Sequence, residues 1–213
     1  MMLLDFALPA FFLLLVVIDP FGLTPIFSTL TARQSVGQRR RTAFKGVAIA
    51  AGVMAFFAFG GVWLLDYLGI GMPAFRIAGG LLLFLIAIDM LFVRHSGLSS
   101  ATDQEQNEAA TRSDISVFPL AIPLIAGPGA LTTVMLLTRD QGLMTSLLVL
   151  GISLLVLAIT LFMFFIADWI QRALGETGIN VITRLLGILL AALAMQFVLD
   201  GLQASFPKLV GGP

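Results

Sequence analysis

The sequence predicts an all-α integral membrane protein with six transmembrane helices in two inverted three-helix repeats, helices 1 and 4 being interrupted. Three observations lead there. The chain is 59% hydrophobic and 11% charged, with a mean hydropathy of +1.03, well above the roughly 45–50% apolar share of soluble domains. Six apolar stretches approach or exceed the roughly 20 residues that cross a hydrocarbon core of about 30 Å. Two of them contain helix breakers related by one constant offset.

The stretches run Phe6 to Leu30, Phe44 to Leu65, Phe75 to Val93, Val117 to Thr138, Met144 to Ile166 and Ile179 to Leu202. The first holds Asp19-Pro20-Phe21-Gly22-Leu23-Thr24-Pro25. Two prolines and a glycine so close together cannot keep an unbroken backbone ladder, and each freed N–H or C=O in lipid costs several kcal/mol unless something satisfies it. The fourth holds Ala126-Gly127-Pro128-Gly129-Ala130-Leu131-Thr132-Thr133. Both breakers fall near the middle of their stretches, hence near the bilayer centre. The N-terminal run has Asp5, lacks a basic leader and ends in the breaker rather than a cleavage site, so it is expected to stay as a span.

Connections are short except for Arg94 to Ser113, where Asp103, Glu105 and Glu108 stand among Ser, Thr, Gln and Asn. That composition marks a flexible linker. The expected organisation is therefore a first three-helix repeat over 1–95, a polar cytoplasmic linker over 96–113, and a second, inverted repeat over 114–213. At an offset of 108 residues, Pro20 falls on Pro128 and Leu23-Thr24 on Leu131-Thr132, while Arg76-Ile77-Ala78-Gly79 falls on Arg184-Leu185-Leu186-Gly187. Because each half has an odd number of spans, the second must insert upside down. Counting Lys and Arg puts nine on one side (Arg33, Arg39, Arg40, Arg41, Lys45, Arg94, Arg112, Arg172 and Arg184) and three (Arg76, Arg139 and Lys208) on the other. The richer side is expected to be cytoplasmic, which leaves both termini periplasmic.

Inverted repeats with breaks in corresponding spans point to a secondary transporter and to its midplane site. A half-helix that starts at a break presents N–H groups without intrahelical acceptors, suited to a carboxylate. Gly22, Gly127 and Gly129 let backbone approach a ligand, Pro20 and Pro128 open the half-helices, and Thr24, Thr132 and Thr133 add hydroxyls. Two opposed breaks would suit an amino-acid zwitterion: N–H groups for its carboxylate, freed carbonyls and Asp19 for its ammonium. The plainer reading makes Asp19 an N-cap before Pro20 at the first helical position, and Gly-Pro-Gly a kink. Asp19 and Asp89 are intramembrane acids and so coupling candidates, although Asp89 can also reach water or Arg94 at the membrane edge. Gln196, in the middle of span six, either lines the site or locks two helices. Gly46, Gly52, Gly60, Gly61, Gly79, Gly80 and Gly187 are expected to let helices approach closely and slide. Arg76 and Arg184 read as interface anchors and His95 as a solvated loop residue.

A formal net charge of zero gives no sign of a nucleic-acid partner, and the chain has no cysteine for disulfides or thiolate metal sites. No zinc-protease, nucleophile-elbow or phosphate-loop motif occurs, so neither enzyme activity nor a cofactor or metal is expected.

Three segments together resemble the MarC/SnatA family: Asp19 to Phe27, Arg76-Ile77-Ala78-Gly79-Gly80-Leu81-Leu82-Leu83-Phe84, and Pro119-Leu120-Ala121-Ile122-Pro123-Leu124-Ile125-Ala126-Gly127-Pro128-Gly129-Ala130-Leu131-Thr132. The likeness covers all six spans and leaves the central linker unmatched. It implies an inner-membrane carrier of small neutral amino acids such as glycine and alanine, and its two motifs fall on Asp19 to Pro25 and Gly127 to Thr132. Asn is also common in the family at the position of Asp19, which speaks against obligatory proton coupling there.

The resulting expectation is alternating-access transport of a small neutral amino acid, with Na⁺ or H⁺ coupling open, in a lipid bilayer and with a homo-oligomer allowed. The rivals are a channel for a small neutral solute and a non-transporting membrane scaffold. Gly129→Val and Thr132→Val are expected to abolish binding without loss of expression.

Overall fold

A computed structural model describes residues 2–92, 115–139 and 142–206. The linker over 96–113, His95, Arg94 and Lys208 lie outside these. The described residues form helices and no strand: α1 Met2–Ile18, α2 Pro20–Leu30, α3 Val36–Tyr67, α4 Met72–Phe92, the π-turned α5 Ser116–Ile125, α6 Pro128–Thr138, α7 Gly142–Phe165 and α8 Ala167–Ser205. Five helical segments are long and apolar enough to cross a membrane, and α5 with α6, bent by 56°, supplies a sixth if the bent pair counts as one span.

Local chemistry explains the ends. Ser35 and Gln38 close a reciprocal capping box at the start of α3. Gly69, with φ 69, turns the chain out of α3 towards α4. Both α3 and α8 run beyond the apolar stretches read from the sequence, because a helix continues into water wherever its polar residues permit. In α8 the continuation carries a break: Gly175, at φ 62 and ψ 177, separates a short leading segment from the apolar stretch Thr177–Ser205.

In α5, Pro119 and Pro123 lack N–H groups and each follows a cis peptide bond, and the residues before them, Phe118 and Ile122, are extended at φ −130. Its hydrogen bonds accordingly span five residues, Leu120 N–H to the Ile115 carbonyl at 3.3 Å and Ala126 N–H to that of Ala121 at 2.8 Å. The irregular backbone of the fourth stretch thus begins well before Gly127. In the first stretch the defect is narrower. Asp19 alone is left-handed, and hydrogen bonds from its N–H to Leu15 and from Leu23 N–H to its own carbonyl, both 3.0 Å, carry the ladder past it.

Two main apolar clusters hold the bundle, and a third, of Leu65, Met72 and Met135, joins α3, α4 and α6. The larger of the two joins α1, α2, α3, α5, α6 and α7 with Ala167 at the start of α8, and includes Leu14, Phe27, Met54, Leu120, Val134 and Phe164. The smaller joins α4 to α8 through Leu83, Ile86, Ala87, Leu190 and Ala194, with Val16 of α1. Val17 packs against both.

Glycines set the α4–α8 distance. A Cβ on Gly80 would stand 2.8 Å from the Ala194 carbonyl, one on Gly187 2.9 Å from Met90 Cβ, and one on Gly201 2.9 Å from the Pro73 carbonyl. Rising numbers in α4 meet falling numbers in α8, so the pair is antiparallel. Gly46 and Gly61 similarly face Leu120 and Met135. Gly52 faces open space and Gly60 only Phe56 of its own helix, so neither brings helices together. Large apolar side chains point outward, Phe12, Phe162 and Ile188 among them, as lipid demands.

Candidate functional site

At the first break the Asp19 backbone sits at φ 46 and ψ 68 and is the positive-φ non-glycine among the described residues, a conformation costing roughly 1–2 kcal/mol. The cost is offset locally. Asp19 Oδ1 accepts the Gly22 N–H at 3.1 Å, and Pro20 occupies the first helical position of α2, where a missing N–H does least harm. A side chain at Gly22 would collide with the Asp19 carboxylate, so this glycine makes room for the cap. Pro20 and Pro25 deprive the carbonyls of Val16 and Phe21 of their usual helical donors. Thr24, fully buried, donates to the Pro20 carbonyl at 2.8 Å. Its proton is therefore committed and only its lone pairs remain for a ligand.

The second break is built differently. Gly127 is extended (φ −76, ψ 173) and caps α6 without any side-chain hydrogen bond. The Pro123 carbonyl approaches so closely that a Cβ on Gly127 would lie 2.5 Å from its oxygen. The first N–H groups of α6 belong to Gly129 and Ala130, both buried, and the helix supplies them with no acceptor four residues back. Thr132 lies with its methyl group against Gly79 of α4. Thr133 is wholly buried and its hydroxyl has no partner, an arrangement costing about 1–3 kcal/mol unless a ligand or water completes it.

The two breaks adjoin. A Cβ on Gly129 would stand 2.7 Å from Ile86 Cδ1, 3.1 Å from Leu83 Cδ2 and 3.3 Å from Val17 Cγ1, and Val17 lies two residues before Asp19. Gly129 is thus wedged between α4 and the end of α1. The expectation that Gly129→Val leaves the fold untouched needs correction, because the new methyl groups would displace Ile86 and Leu83.

The remaining candidates are placed separately. Asp89 is buried in α4, 7% exposed, one turn beyond Ile86. Gln196 is exposed, away from the α8 face that meets α4, and its amide donates to Asp200 Oδ1 at 2.8 Å. It is not brought to the breaks.

Two features escaped the sequence reading. Thr183 of α8 lies beside the Asp19 carboxylate, outside strict hydrogen-bonding geometry, so that its buried hydroxyl lacks a partner. Nothing in the sequence sets it apart from other threonines. The second is a layer beneath α2: Arg39 pairs with Asp168 and donates to Ser28 Oγ at 2.8 Å, and its guanidinium lies 5.3 Å from the centre of the Phe27 ring. Phe27 in turn stacks on Phe164 at 4.3 Å. Charge complementarity was the available signal there, with Arg39 and Asp168 in connections assigned to one side of the membrane.

Apolar helices, buried polar breaks and lipid-facing surfaces together define a multi-pass helical membrane protein. The family model described as "MarC family integral membrane protein" matches residues 4–206, and the chain belongs to that family. It is 38% identical over 196 residues to a UPF0056 membrane protein of Aquifex aeolicus, covering 91% of each chain. It is also 36% identical over 210 residues to the UPF0056 membrane protein YvbG of Bacillus subtilis, covering 98% of this chain and 99% of the relative. A third relative, the UPF0056 membrane protein YhcE of Escherichia coli, is 34% identical over 198 residues, with 92% of each chain covered. No solved structure matches the chain.

Proposed function

We propose that this protein is a secondary transporter of small neutral amino acids, glycine-like or alanine-like, working by alternating access in the inner membrane and having no enzymatic activity. The observation that carries the reading is the contact of Gly129 with Val17, which sets two breaks of opposite character side by side. The uncapped start of α6 offers N–H groups to a carboxylate. At the other break Asp19 is a negative group for an ammonium, with Thr183 beside it. A zwitterion would complete the hydrogen bonding of both. A site lined by glycine, proline and threonine would favour a small side chain on the substrate.

Further support comes from the way the halves correspond. Spans one and four carry the breaks, α3 and α7 pack in the larger cluster, and the third spans, α4 and α8, pair antiparallel. This is the relation expected of two inverted repeats about an axis in the membrane plane. We infer that the Arg39–Asp168 side is cytoplasmic, from the excess of Lys and Arg in its connections.

The test is counterflow in proteoliposomes. Vesicles preloaded with unlabelled glycine or alanine should transiently accumulate the labelled amino acid above equilibrium, and repeating the assay with and without Na⁺ and with a pH gradient identifies the coupling ion. Uptake that never exceeds equilibrium indicates a channel. Neither uptake nor thermal stabilisation by any of the twenty amino acids would refute the reading in favour of a scaffold.

A further inference from the structure

We propose that the outer surface between α3 and α7 is a binding site for an anionic phospholipid, its acyl chain lying in an apolar groove and its phosphate on Arg40 and Arg41. The groove has a volume of about 220 Å³, and its walls are wholly hydrophobic. On α3 it is formed by Phe44, Val47, Ala48 and Ala51, whose spacing of three and four residues makes one continuous helix face. On α7 the facing wall includes Leu157, Ala158 and Leu161. The alanines create the depression, because their neighbours Phe44 and Leu161 are larger and stand at one end of it. From Phe44 to Ala51 the face is about 10 Å long, enough for part of an acyl chain.

The same helix face continues towards the N-terminus of α3. Arg40 is four residues before Phe44, and Arg41 is three before Phe44 and seven before Ala48. Both arginines are exposed, and among the described residues neither forms an ion pair, the pair on this helix being that of Arg39 with Asp168. A pair of unneutralised guanidiniums at the mouth of a lipid-facing groove is complementary to a phosphate headgroup. Basic pockets between spans at the cytoplasmic side recognise anionic lipids in this way. A zwitterionic phospholipid would satisfy the groove but would bring its own cation to the arginines.

The experiment is native mass spectrometry of the full chain in detergent, offered phosphatidylglycerol and phosphatidylcholine with matched acyl chains. The wild type should retain phosphatidylglycerol about tenfold or more over phosphatidylcholine, in keeping with two arginines at an anionic headgroup. The double variant Arg40→Gln, Arg41→Gln should lose that preference. Filling the groove with Ala51→Leu and Ala158→Leu should reduce retention of both lipids. Equal retention of the two lipids by the wild type, a preference that survives loss of both arginines, or full retention with a filled groove would each overturn the proposal. Should the filled variant fail to fold, the arginine variant decides the matter, since both side chains are exposed.

Discussion

Arg39 and Asp168 stand 129 residues apart in the chain and meet through both carboxylate oxygens, at 2.8 and 2.9 Å. The two ends of this pair are unequal. Asp168 is 63% exposed and the Arg39 side chain 20%, and Arg39 also holds Ser28 and covers the Phe27 ring.

Arg39→Ala should therefore destabilise the protein by about 2–3 kcal/mol, through loss of a charged hydrogen bond and a cation–π contact as well as the ion pair. Asp168→Ala should cost only about 0.5–1 kcal/mol, since an exposed carboxylate is screened by solvent. Thermal unfolding in detergent at low and high salt checks both values, and the aspartate effect should shrink as salt rises. Equal losses would mean that the ion pair is all that Arg39 provides.

Asp19 combines a left-handed backbone with a capping side chain, and Asn tolerates both. Asp19→Asn should melt close to the wild type, whereas Asp19→Ala should lose about 1–2 kcal/mol with its cap. In transport the order changes. If the carboxylate meets the substrate ammonium, both variants raise KM by about tenfold, the worth of one charge-assisted hydrogen bond. An Asn variant with unaltered KM would remove the charge from the site and leave Asp19 as a cap.

The unpartnered hydroxyls of Thr133 and Thr183 give a test in which stability and function move apart. Replacing a buried, unsatisfied hydroxyl by a methyl group removes a desolvation cost of about 1–3 kcal/mol. Thr133→Val and Thr183→Val should consequently be as stable as the wild type or more so, yet bind glycine or alanine at least about tenfold more weakly. Isothermal titration together with a melting curve reads both quantities. Undiminished binding in both variants would place the substrate elsewhere. Thr132→Val is the companion experiment, because its methyl contact with Gly79 survives the change.

Glycines that look alike in the sequence should respond in opposite directions. Gly80→Leu forces a side chain into the Ala194 carbonyl and Val198 and should cost at least about 1–3 kcal/mol by overpacking. Gly52 meets nothing within 4 Å, and Gly52→Ala should gain about 0.5–1 kcal/mol through helix propensity. Expression level and melting temperature of the two variants suffice to check this.

These contrasts mark what could be read from the chain alone. Asp19-Pro20 and Gly127-Pro128 announce themselves because a missing N–H and a small side chain act on their own backbone, wherever the segment packs. Apolar length similarly reveals the spans. The reach of the irregular backbone in α5 was legible in principle from Pro119 and Pro123, whose effect on Phe118 and Ile122 is also local. Gln196 was harder, since its depth in span six follows from counting, whereas the direction it faces depends on which side of α8 meets α4. Thr183 lay beyond such reading, because its place beside Asp19 depends on a helix from the other half of the chain, and for the Arg39–Asp168 pair the charges on one membrane side gave a signal while the partner choice rested on the packing of distant helices.

The glycine contacts between α4 and α8 carry a mechanical consequence. The seam at Gly80, Gly187 and Gly201 leaves no room for a β-carbon at any of the three, so α4 and α8 approach more closely there than side chains would allow. On the transport reading proposed above, a rearrangement that admits solvent to the two breaks is expected to carry α4 and α8 together as one strut. If the protein transports as proposed, a covalent staple across that seam should leave transport intact, while one tying α4 to α6 should arrest it.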